Sequence, residues 1–211
     1  MIRMSLAAAL LTLPSLAVAA DATAPVREIM DLATKNWADA PDDNATPPDY
    51  VDYFDDTFLS RLYSKDFVAK YRDAAKYPVF EDSGSPFDYD VIAMGQDGCS
   101  FKDLKIEAQP PVNGMTVVKT TFDNTYCFGE REPDWKPAEV DFNVIEEDGR
   151  AVIDDILRPQ DGDPGSLKAE MQEISTEAAS TPQDGGGEEG PGQDGAGQSG
   201  SGESGAFQDG Q

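Results

Sequence analysis

Apolar residues recur at helical spacing through the first third of the chain. Val26, Ile29, Met30, Ala33 and Trp37 form one stripe, with Pro25 as a start signal, and predict a first helix. After the breaker Pro47-Pro48, Asp49 can cap a second helix whose stripe is Val51, Phe54, Phe58 and Leu62. Ser64 can cap a third, carrying Phe67, Val68, Tyr71 and Ala75 and ending before Pro78. From Phe87 onward the period becomes two. Phe87-Asp88-Tyr89-Asp90-Val91, Leu104-Lys105-Ile106-Glu107-Ala108 and Val140-Asp141-Phe142-Asn143-Val144 alternate as half-buried strands do. Asn113-Gly114 and Asp148-Gly149 are turn dipeptides that accept positive φ. A last short helix is expected from Ser166 to about Ala179, after the Asp163-Pro164-Gly165 turn. Helices followed by an antiparallel meander predict an α+β domain with the helices on one face of the sheet.

Strand register carries two further expectations. A three-residue loop centred on Asn113 keeps the apolar stripes of both strands on one face by pairing Leu104 with Phe122 and Ala108 with Val118. The same register, continued outward, sets Cys99 opposite Cys127, within reach of a disulfide. A two-residue turn at Asp148-Gly149 pairs Val144 with Ile153, Phe142 with Asp155 and Val140 with Leu157. Asp155 would then share a face with apolar side chains, and desolvation would raise its proton affinity, as a general acid or base requires. Trp37, Tyr89 and Phe142 are the pocket candidates beside it. The competing reading has Asp155 accepting hydrogen bonds at a strand end, with Asp154 turned to solvent.

The ends of the chain change the picture. Residues 1–20 carry one charge, Arg3, an apolar run from Leu6 to Leu16, and small residues at Ala17-Val18-Ala19-Ala20, the pattern of a cleavable secretion signal too short to span a bilayer. Residues 181–211 hold eleven of the 19 glycines, six acids and one aromatic, Phe207, and are expected to be a disordered low-complexity tail. Between them lie a domain over 21–160 and the short C-terminal helix in 161–180. The chain is therefore expected in the periplasm or outside the cell, where a disulfide persists.

Charge and composition then exclude whole classes. Sixteen basic against 41 acidic side chains leave a formal charge of −25 on 211 residues. Such a field repels phosphate backbones and anionic lipid, so nucleic acid is rejected as a partner, no membrane insertion is expected, and basic surfaces are favoured. The absence of histidine removes His-based triads and His-containing zinc sites. Asp161-Gly162-Asp163 begins like a calcium loop, but Gln172 stands where the bidentate Glu belongs and Pro164 interrupts it, so no metal is expected. No phosphate cradle or nucleophile elbow is present, and no cofactor is implied. Asn44-Ala45-Thr46 is formally a glycosylation acceptor.

Phe87-Asp88-Tyr89-Asp90-Val91-Ile92, Gln96-Asp97, the strand through Leu104, and Gly149-Arg150-Ala151-Val152-Ile153-Asp154-Asp155-Ile156 resemble a group of bacterial secreted proteins of unknown function. Their domain looks like the nuclear-transport-factor-2-like cone, in which N-terminal helices pack on a strongly curved antiparallel sheet. The likeness spans roughly residues 25 to 170, and the family's closing strand usually carries tryptophan where this chain has Ala151. It implies the cone fold but no single activity, because that fold serves isomerases, hydrolases, carriers and interaction domains alike. The expected function is an exported, non-catalytic binding or interaction module, for instance an envelope-associated or immunity-type partner. The alternative is a small-molecule isomerase or hydrolase working through Asp155.

Overall fold

The first helix, α1 (Thr23–Asn36), encloses Val26, Ile29, Met30 and Ala33 completely, and Trp37 stands at its C-cap. The structure, a computed structural model, describes residues 20–39, 49–80, 83–159 and 162–180. The expected secretion signal up to residue 19, the formal acceptor at Asn44 and the glycine-rich segment 181–211 lie outside the described residues.

The second helix starts later than its stripe predicts. α2 runs Asp56–Leu62 and is capped by Asp55, which accepts from the Thr57 N–H, and not by Asp49. Two side chains hold the preceding segment out of the helix. The Asn36 amide donates to the Val51 carbonyl and accepts from its N–H, both at 2.9 Å, and Asp52 accepts from the Phe54 N–H. Such side-chain contacts compete with helical hydrogen bonds. Tyr53 and Phe54 enter the core from this loop. α3 (Lys65–Ala74) begins where Ser64 caps it, with Ser64 Oγ 3.0 Å from the Phe67 nitrogen.

Four strands follow: β1 (Lys102–Ala108), β2 (Met115–Asp123), β3 (Ala138–Glu147) and β4 (Arg150–Leu157). They form one antiparallel sheet in chain order. Val118, Phe122, Val140, Phe142, Val144, Ile153 and Ile156 meet the helices in one core, closed by Leu167 and Met171 of α4 (Leu167–Ser180). At the β4 edge the chain between α2 and α3 adds one parallel bridge, Tyr63 to Ile153.

The strand expected at Phe87–Val91 is absent. Asp90 Oδ1 accepts from the N–H groups of Ile92 and Ala93, and the chain turns back so that Asp90 bridges Gly95. An Asx turn displaces the ladder.

Both hairpins keep their turn dipeptides at positive φ, and both depart from the simple register. The β1–β2 tip is a two-residue Asn113-Gly114 turn closed by Val112 and Met115, not a three-residue loop. Ala108 still faces Val118 and Ile106 faces Thr120, but the ladder slips before Lys102, which faces Asp123. Asp103 absorbs the slip at φ 53°. The disulfide forms nonetheless. Cys99 and Cys127 are bonded with Cα atoms 6.0 Å apart, beyond the end of the ladder. The Cys99 N–H donates to the Asn124 carbonyl, and Cys127 lies in the short 3-10 turn Tyr126–Phe128.

In the β3–β4 hairpin Val144 faces Ile153, as its turn requires. The register then shifts by one, so Phe142 faces Ile156, Asn143 faces Asp155 and Asp141 faces Leu157. The bulge corrects the expected pairing of Phe142 with Asp155, because a one-residue slip moves every later side chain to the other face. Ile156, wholly buried, takes the core place that a carboxylate would occupy only at high desolvation cost.

Candidate functional site

The described surface gathers aromatic rings where the C-terminus of α1 meets the loops before α2 and before β1. Trp37, Tyr50, Phe80, Phe87 and Tyr89 line a recess of about 530 Å³ together with Asp88 and Asp90. A second recess of about 230 Å³ adjoins it and shares Tyr50, Phe87, Tyr89 and Asp90. The rings interlock: Tyr50 and Tyr53 lie 6.0 Å apart, as do Phe54 and Phe87, and Phe87 and Tyr89. Tyr50 and Phe80 remain 61 % and 62 % exposed, unusual for side chains of their size.

Asp90 organises this groove. Its Oδ2 accepts from the Trp37 indole N–H at 2.8 Å and from the Tyr53 hydroxyl at 2.7 Å, while Oδ1 takes two backbone N–H groups. Four donors use the four acceptor positions a carboxylate offers, so Asp90 orients rings and has no lone pair left to receive a substrate proton. Burial, reinforced by the Asp90 charge, pushes the Tyr53 hydroxyl far above the ordinary phenol range, which keeps it a neutral donor. Burial likewise pushes Tyr71 up to about 12.

The pocket candidates separate. Trp37 and Tyr89 come together in the groove, whereas Phe142 is enclosed in the core. Asp155 lies on the opposite sheet face from Phe142 and lines neither recess. It is 7 % exposed, accepts from the N–H groups of Ile156 and Lys168, and accepts from Ser166 Oγ at 2.6 Å. Burial raises its carboxyl above the model-peptide value despite those bonds. The arrangement tethers the start of α4 to β4. Asp154, expected to face solvent, is partly buried and accepts from Ser64 Oγ at 2.7 Å and Lys168 Nζ at 2.8 Å.

Tyr50, Tyr53, Phe80 and Asp90 were not singled out as site residues by pattern. For the three aromatics the signal was ring density outside the helical stripes, whereas Asp90 read only as a polar position of an expected strand. Among the described residues no group of three or more Cys, Asp or Glu is arranged to hold a metal ion, and no helix is long and apolar enough to cross a membrane. Neither a family model, nor a curated protein, nor a solved structure matches the chain.

Proposed function

We propose that this protein is an exported, non-catalytic binding or interaction module that engages its partner through the aromatic groove. The observation that carries the reading is the groove itself: exposed rings beside carboxylates, with Asp90 saturated by four donors. A site arranged in this way supplies contact area and fixed charge around a central carboxylate that is fully engaged. An intramolecular disulfide is compatible with export, as are the charge pattern and small residues of the N-terminal segment. Helices preceding a four-stranded antiparallel sheet support a relationship to the nuclear-transport-factor-2-like cones. The hydrolase or isomerase alternative draws on the raised Asp155 carboxyl, but that group is engaged at the start of α4.

Affinity capture from an envelope extract, run in parallel with wild type and Tyr50→Ala/Phe80→Ala, tests the reading. The expected result is a species retained by wild type and lost from the double variant at unchanged thermal stability. Equal recovery by both, or recovery of nothing by either, overturns it.

A further inference from the structure

The chain combines an aromatic ring with a carboxylate three times to hold its own arginines, Arg61 lying 5.8 Å from the centre of the Phe58 ring and pairing with Glu28. The Arg131 guanidinium lies 3.9 Å from the centre of the Trp135 ring and is ion-paired with Asp123. Arg158 is ion-paired with Glu170 and donates to the Tyr89 hydroxyl, its guanidinium 5.1 Å from the ring centre. Lysine behaves differently: Lys102 sits over Tyr126 but makes no ion pair among the described residues. The planar guanidinium can stack on a ring while its N–H groups grip a carboxylate, a geometry an ammonium lacks.

The groove presents the same two parts to the outside. Tyr50 and Phe80 offer exposed faces, and the exposed Asp88 carboxylate makes no hydrogen bond or ion pair among the described residues. The Gln96 amide holds the Asp88 carbonyl at 2.7 Å, fixing the backbone of that residue. Neither recess is lined by a lysine or arginine, while Asp52, Asp88 and Asp90 contribute three carboxylates. Behind the rings, Asp90 accepts from Trp37 and Tyr53, and its charge favours a cation over their faces.

We infer that the groove binds an extended basic segment of a partner protein by stacking an arginine side chain on Tyr50 and Phe80 and pairing it with Asp88. The inference rests on the binding-module reading and names the chemistry of its partner. Two adjoining recesses with shared walls seat neighbouring side chains of an extended chain rather than one compact ligand. A chain charge of −25 steers basic segments toward it.

Calorimetric titration of the full oxidised protein with three blocked pentapeptides decides the matter: Ala-Arg-Ala-Arg-Ala, its lysine analogue and its citrulline analogue, the last a neutral isostere of arginine. The arginine peptide is expected to bind at least about tenfold more tightly than the citrulline peptide, with lysine between them. Tyr50→Ala and Asp88→Asn should each weaken arginine binding about fivefold or more. Asp88 is exposed, so its variant keeps the test open even if Tyr50→Ala fails to fold. Equal binding of the arginine and citrulline peptides overturns the inference. So does arginine binding that ignores both variants, which would assign it to the general field. If no peptide binds while partner capture still depends on Tyr50 and Phe80, the arginine inference fails and the binding-module reading stands.

Discussion

Asp155 combines the burial that raises a carboxyl's proton affinity with hydrogen bonds that tie the start of α4 to β4. Its burial favours the neutral form, whereas Ser166, Lys168 and Ile156 favour the ionised one, and burial is the larger influence. The folded state therefore holds the proton more tightly than the unfolded state does. Stability attached to this group is present at low pH and is lost as the pH rises from about 4 through the raised folded value. Asp141, also raised by burial, adds a dependence of the same sign. Asp155→Asn removes the first contribution alone. In urea denaturation across that range, the unfolding free energy of the variant relative to wild type should improve steadily with pH. A difference independent of pH would show that Asp155 does not titrate between the two states. Asp155→Ala should instead cost roughly 1–3 kcal/mol, because it leaves the Lys168 N–H and Ser166 hydroxyl without their acceptor.

Among the elements, α4 depends on a single close approach of backbone to backbone. Gly165 adopts φ +60°, and a β-carbon there would lie 2.3 Å from the Arg158 carbonyl oxygen, far inside contact distance. The Arg158 N–H donates to the Gly165 carbonyl at 3.1 Å, so the clash would fall on the hinge that brings α4 back to β4. Gly165→Ala should therefore destabilise by about 2 kcal/mol or more. Amide exchange should rise over Leu167–Ser180 ahead of the sheet, because Leu167 and Met171 lose their seat in the core. Protection of α4 equal to wild type would show that the helix docks independently of this turn. The helices and strands were largely legible. The stripe of α1, the Ser64 cap of α3 and the alternation in β1 and β3 are local patterns that burial rewards directly. The late start of α2 and the loss of the strand at Phe87–Val91 were not legible. Each was decided by a polar side chain, Asn36 or Asp90, reaching a backbone distant in sequence or folding back on its own.

For the molecule as a whole, the disulfide ties the entry to β1 to the turn following β2. Twenty-eight positions separate its cysteines, and on the chain-entropy account closing such a loop stabilises by roughly 3–4 kcal/mol. Cys99→Ala/Cys127→Ala should lower the unfolding free energy by about that amount. The loss should exceed that of either hairpin-tip change at Asn113 or Asp148, both exposed. A loss below about 1 kcal/mol would mean that the segment from Cys99 to Cys127 is already ordered in the unfolded ensemble. The candidate site belongs to this scale as well. Trp37 and Tyr89 were suggested by sequence, but their meeting depends on Asp90, whose partners Trp37 and Tyr53 come from separate segments.

Sequence by itself determined the α+β class, the turn dipeptides and the pairing of the two cysteines, because hydrophobic period and turn chemistry act over a few residues. Only the tertiary structure decided the two register slips, the face on which Asp155 lies and the assembly of the aromatic groove. Those depend on which of two nearly equivalent neighbours is buried and on hydrogen bonds between residues far apart along the chain. The balance at such places is a difference of a few kcal/mol between burying an isoleucine and desolvating an aspartate. Local pattern is silent on it until the opposing surface is in place.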